Sequence, residues 1–83
     1  PNPFNPSTAI RYALPSPSIV QIQIFDVQGV ELNHFSVHQP AAGWYELQWN
    51  GLDRSGLRIG SGIYFCRIQT EFDHQTIKMV MLK

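Results

Sequence analysis

Apolar and polar residues alternate with a period of two in stretch after stretch of this chain, and that alternation is what most limits the folds open to it. Ile10, Tyr12 and Leu14 take one side of Thr8 to Leu14, and Ala9, Arg11 and Ala13 the other. Val20, Ile22 and Ile24 alternate with Gln21 and Gln23, although Phe25 then stands on the polar side. Tyr45, Leu47 and Trp49 alternate with Trp44, Glu46 and Gln48. Successive side chains of a strand point to opposite faces, so each stretch reads as a strand with one face against a core. No segment carries a 3.6-residue apolar period over three turns, and no helix is expected.

The run Ser61 to Thr70 holds the densest set of aromatic and β-branched residues and follows a glycine-rich segment, Gly56 to Gly62. It is expected to be the central strand, with Tyr64, Cys66 and Ile68 inward and Ile63, Phe65, Arg67 and Gln69 outward. Val30 to Val37 reads as a weaker strand, Leu57 to Ile59 as a short further one, and Gln75 to Leu82 as the last, with Ile77, Met79 and Met81 inward. Turn formers separate them: Pro15-Ser16-Pro17-Ser18, Gln28-Gly29, Pro40 to Gly43, Asn50-Gly51, Asp53-Arg54-Ser55-Gly56 and Asp73-His74. Six or seven short antiparallel strands at this spacing imply an all-β sandwich. Its inner layer is expected to include Ile10, Tyr12, Leu14, Val20, Ile22, Ile24, Leu47, Trp49, Tyr64, Ile68, Ile77 and Met79.

A chain of 83 residues makes one small domain, one that hides roughly 60 to 65% of its extended surface on folding. With a single cysteine it has no internal disulfide, and packing alone must hold it. Six basic residues balance six acidic ones, which removes the electrostatic case for nucleic acid or an anionic membrane as partner. No apolar stretch approaches the roughly 20 residues of a membrane-spanning helix.

The chemistry-bearing residues are scattered. His34 and His38 lie in an extended segment, where a four-residue spacing does not align them, and His74 sits beside Asp73 in an expected hairpin, so no zinc ligand set converges. Asn50, Asp53 and Ser55 lack the spaced carboxylates of a calcium loop and read as turn-stabilising. Cys66 points inward as a small hydrophobe, no serine lies on a Gly-x-Ser-x-Gly elbow, and no motif pairs two carboxylates for acid and base work. No enzyme activity and no cofactor are expected. Two surface features remain: Trp44 is either a sugar-stacking platform or structural, and Phe25, Phe65, Ile63, Trp44, Val80 and Leu82 all fall on outer faces, where a contiguous group implies a docking or ligand surface. Phe4, in a proline-rich lead-in, is either a recognition element or a plug for one end of the core.

Taken together, several motifs resemble the C-terminal sorting domain of the type IX secretion system, type A. They are the opening Pro1-Asn2-Pro3-Phe4-Asn5-Pro6-Ser7-Thr8, Phe25-Asp26-Val27-Gln28-Gly29, and Ala42-Gly43-Trp44-Tyr45 leading to Trp49-Asn50-Gly51. Asp53-Arg54-Ser55-Gly56, Ser61-Gly62-Ile63-Tyr64 and the closing Lys78 to Lys83 complete the set. The resemblance spans practically the whole chain. It implies an immunoglobulin-like or fibronectin-like sandwich, similar to the immunoglobulin-like domain of the flagellar hook-capping protein. It also implies that residues 1–83 form a single module detached from a larger secreted protein of the Bacteroidota. Such a module is expected to direct an N-terminal cargo domain through the periplasm and across the outer membrane to the cell surface or medium. The implied partners are the outer-membrane secretion machinery and a cell-surface sortase. The sorting residues it implies are Pro1, Asn2 and Pro3 at the entrance, Gly62 and Tyr64 in the glycine-x-tyrosine motif, and Lys78 and Lys83 in the basic terminal strand. The alternative is a structural accessory or carbohydrate-binding module of a secreted enzyme.

Overall fold

The computed structural model describes residues 7–82. Six strands follow one another: β1 (Thr8–Leu14), β2 (Ser18–Asp26), β3 (Glu31–Gln39), β4 (Gly43–Trp49), β5 (Gly62–Gln69) and β6 (His74–Met81). All pairings are antiparallel. β1 and β4 form a two-stranded sheet, and the other four form a second sheet in the order β3-β2-β5-β6. β5 is therefore an interior strand, as its composition requires, and the fold is an all-β immunoglobulin-like sandwich without helix among the described residues.

The alternating residues build the core between the layers. β1 contributes Ile10, Tyr12 and Leu14, β2 contributes Val20, Ile22 and Ile24, and Trp49, Cys66, Ile68, Met79 and Met81 come from the remaining inner faces. Leu47, Tyr64 and Ile77 pack against this cluster half-buried. Each fully covered aliphatic side chain contributes about 1.5–3 kcal/mol relative to exposure, which is why a chain without a disulfide can hold this shape. Tyr12 and Tyr45, direct cross-strand partners, stack with ring centroids 5.7 Å apart. Gln39 Nε2 donates to the Tyr12 hydroxyl at 3.1 Å, tying β3 to the opposite sheet.

One expectation is corrected. Leu57 to Ile59 does not form a seventh strand: it makes only an isolated bridge between Leu52 and Arg58, with Ile59 N donating to the Gly51 carbonyl at 2.9 Å. The tight loop between these residues leaves no length for a ladder, yet Ile59 reaches the core, a burial that the short segment's pattern did not reveal. A register shift between Ile24 and Phe25 turns the end of β2, so that Phe25 faces Glu31 across the bulge.

Candidate functional site

The groups with reactive side chains are held apart or occupied. Cys66 is fully buried, and burial pushes its thiol up to about 12, where it is neither nucleophile nor ligand. His34 lies on the outer face of β3 with Nε2 at 2.7 Å from Gln21 Oε1, while His38 and His74 are exposed near strand ends. Among the described residues no three His, Cys, Asp or Glu side chains converge on a position that suits a metal ion. Among the described residues no helix is long and apolar enough to cross a membrane.

Asp53 is a turn residue. Its Oδ1 accepts the Ser55 amide at 2.9 Å, the Ser55 hydroxyl at 2.7 Å and the Leu57 amide at 3.0 Å. The Ser55 hydroxyl first, and the Leu57 amide after it, hold this carboxyl below the ordinary carboxylate range, against the opposing effect of desolvation. Beside this loop, Arg54 pairs with Glu31 and donates its backbone N–H to the Leu32 carbonyl at 3.0 Å, which anchors the loop on the free edge of β3. The Gln23 amide, and after it the Arg54 guanidinium, keep Glu31 below its ordinary range, desolvation again opposing.

The glycine-x-tyrosine motif has a structural job in this chain. Tyr64 packs edge-on against Trp49, centroids 6.3 Å apart, and its hydroxyl donates to the Gly60 carbonyl at 2.8 Å, closing the corner that Gly62 opens into β5. Tyr64 is thus fixed by the domain's own loop and core. Pro1, Asn2, Pro3, Phe4 and Lys83 lie outside the described residues.

What the chain offers its surroundings is the outer face of the four-stranded sheet. The register aligns Phe25 with Phe65 and Ile63 with Val80, so that these four side chains form one corner of that face, and Leu82 follows the end of β6. Val80 is 59% and Leu82 71% exposed, while Phe25 and Phe65 are half-buried. Lys78 stands directly across from Phe65, and Arg67, two pairs along and opposite Thr76, is the diagonal neighbour of Lys78 on the same face. Trp44 does not join this group. It lies across from Ala13 on the two-stranded sheet, 75% exposed, because its strand belongs to the other layer. Phe72, at the β5–β6 turn, is 76% exposed and escaped the period-two reading because it belongs to no strand, although its position between Glu71 and Asp73 marks it in the sequence.

Comparison with known proteins identifies this sandwich. A family model described as the FlgD Ig-like domain matches residues 5–73. The structure of FlgD from P. aeruginosa superposes with a TM-score of 0.75 at 27% identity, covering 98% of this chain and 61% of that one. FlgD from Xanthomonas campestris, described with reference to the hook capping essential for flagellar assembly, gives a TM-score of 0.73 at 28% identity, covering 93% of this chain and 56% of that one. This chain thus spans less than two thirds of the length of either structure. None of the curated proteins matches it.

These matches overturn the sorting-domain reading. With it fall the N-terminal cargo, the outer-membrane machinery and sortase as partners, the delivery to the cell surface or medium, and the Bacteroidota assignment. The accessory and carbohydrate-binding alternative receives no support either. The physical reason is visible in the motifs that carried the resemblance. Asp26 to Gly29, Asp53 to Gly56 and Gly62 to Tyr64 form turns and a corner of the sandwich, so they report the fold that the two families have in common and not an export signal. The fold to which the resemblance pointed is also the family that matches over most of the chain: this chain belongs to the FlgD Ig-like domain family.

Proposed function

We propose that this chain serves as a non-catalytic scaffold module of a hook-capping type of protein, in which the sandwich holds exposed surfaces at fixed positions for neighbouring protein. The observation that carries this reading is the family match over residues 5–73. The spatial distribution of the side chains agrees with it. The reactive groups are buried, bonded within turns or separated, whereas the apolar corner at Phe65 and Val80 lies open beside two cations. A contiguous apolar group of this kind on a small domain suits contact with another protein.

The test is a chimera in which this chain replaces the Ig-like domain of the Xanthomonas campestris FlgD in a strain lacking its own copy. Hooks visible by electron microscopy are the expected result. A chimera that is folded and produced at the normal level but yields no hooks contradicts the proposal.

A further inference from the structure

The two edges of the four-stranded sheet are finished differently. On β3 the Leu32 carbonyl accepts the Arg54 N–H at 3.0 Å and the His34 N–H donates to Asn33 Oδ1 at 2.8 Å, so a loop and a side chain occupy backbone groups there. β6 is bare by comparison. It runs from His74 to Met81 in unbroken register with β5, with no bulge and no proline. An edge strand without such interruptions is a template for a further strand.

The outward groups of β6 follow from its turn. Thr70 N donates to the Asp73 carbonyl at 2.8 Å, and bonded and non-bonded pairs alternate along an antiparallel ladder. Gln75, Ile77, Met79 and Met81 therefore exchange bonds with Ile68, Cys66, Tyr64 and Gly62, while His74, Thr76, Lys78 and Val80 turn their N–H and C=O groups away from β5. The His74 N–H donates to Asp73 Oδ1 at 2.7 Å. No loop or side-chain bond from a described residue reaches the outward groups of Thr76, Lys78 and Val80. The side chains of these three are exposed on the outer face, and Ile77, on the inner side, is only half-buried at the margin of the core.

A row of free donors and acceptors at strand spacing is matched by an extended polypeptide backbone. Charge narrows the choice further. Lys78, at the centre of the row, forms no ion pair with a described residue, and neither does its diagonal neighbour Arg67. A second copy of β6 paired antiparallel through the same three residues sets Lys78 directly opposite Lys78, which is destabilising. A strand with a carboxylate at that position gains where the copy loses.

We infer that the free edge of β6 accepts an extended segment of a partner protein as a fifth strand, with a carboxylate opposite Lys78 and an apolar residue covering Ile77. The backbone of the segment bonds to Thr76, Lys78 and Val80, and its alternate side chains fall on the outer face and against the core margin. The inference rests on the geometry of one strand and holds independently of the hook-cap reading.

The probe is a capped peptide of about seven residues, with valine at alternate positions, glutamate at the centre and threonine at the two remaining ones. One control carries lysine in place of the glutamate. A second control carries N-methyl groups on the glutamate and threonine amides, which removes the donors that face β6. Amide hydrogen exchange of the unaltered chain is followed by NMR. Without peptide, the amides of Thr76, Lys78 and Val80 are expected to exchange much faster than those of Gln75, Ile77 and Met79. About 4 mM of the glutamate peptide is expected to slow those three at least about fivefold, as a Kd at or below about 1 mM requires. The lysine peptide is expected to bind roughly three- to tenfold more weakly, and the N-methylated one to give no protection. Lys78→Glu, at an exposed position, is expected to melt like the unaltered chain and to prefer the lysine peptide. The inference is overturned if the three amides are slow in the free chain, or if their protection grows with the concentration of the chain alone. It is equally overturned if the glutamate peptide leaves them unprotected, if the N-methylated peptide protects them as well, or if folded Lys78→Glu keeps the original preference.

Discussion

Asp26 and Asp53 perform the same operation in two loops far apart in sequence. Each carboxylate Oδ1 accepts the amides two and four residues ahead, Gln28 and Val30 for Asp26, Ser55 and Leu57 for Asp53. Each aspartate amide donates to the carbonyl four residues on, and in each loop a glycine three residues on donates back to the aspartate carbonyl. Both glycines, Gly29 and Gly56, have positive φ, 82° and 87°. The fold therefore uses one five-residue turn twice, and Arg54 of the second loop grips Glu31 just beyond the first.

This repetition predicts how the glycines respond to alanine. At Gly29 and Gly56 an added Cβ meets nothing within 4 Å, so the cost is conformational alone, about 1–2 kcal/mol for a side chain in the left-handed region. In a domain of this size that lowers Tm by about 4–8 °C for each kcal/mol. Gly60 is equally open but lacks the positive φ. Gly60→Ala is therefore expected to be neutral or to stabilise by about 0.4–1 kcal/mol through the unfolded chain. Thermal melts of the three variants check the contrast.

The strands and the core were legible because one buried face forces a strict two-residue period. Every residue expected inward, from Ile10 to Met79, is in or against the core. Ile59 was not legible, since its burial comes from a loop folding back and not from a ladder. Phe25, Phe65 and Val80 could be assigned to outer faces from parity. That they adjoin while Trp44 stands apart depends on strand order, which local alternation does not encode. The family assignment erred for a related reason: Asp-x-x-Gly turns and the Tyr64 corner are requirements of the sandwich, and a pattern made of them identifies the fold before it identifies the task.

Stability is expected to fall on acidification. Asp53 and Glu31 both have carboxyl groups held below their ordinary values of 3.8 and 4.5 in the folded chain. A group lowered on folding contributes stability that is full above its unfolded value and is lost as pH falls through its folded value. Melting temperature should therefore hold steady near neutrality and drop once the pH passes below these ordinary values. Asp53→Asn and Glu31→Gln should each lower Tm at pH 7 and flatten the acid limb of the profile, which melts between pH 2 and pH 7 measure.

The two tryptophans should separate cleanly. Trp49 is buried and its Nε1 donates to the Leu52 carbonyl at 3.1 Å, an acceptor shared with Asn33 Nδ2 at 2.9 Å. Trp49→Ala is expected to cost about 3–5 kcal/mol. Trp44→Ala, at an open position, should stay within about 0.5 kcal/mol of the unaltered chain. Acrylamide quenching of the Trp44→Phe variant, which leaves only Trp49, should be weak, and that of Trp49→Phe strong.

Hook number in the FlgD chimera separates a module that acts through its exposed surface, as proposed, from one that acts through a reacting group. Lys78→Glu with Val80→Ser changes only exposed positions of the outer face, whereas His34→Ala, His74→Ala and Glu71→Gln each remove a titratable side chain and leave the apolar corner intact. The face variant is expected to lose most hooks with an unchanged melting temperature, while each single titratable-group variant retains them. Hooks kept by the face variant but abolished by removing one histidine from an otherwise folded chimera would contradict it.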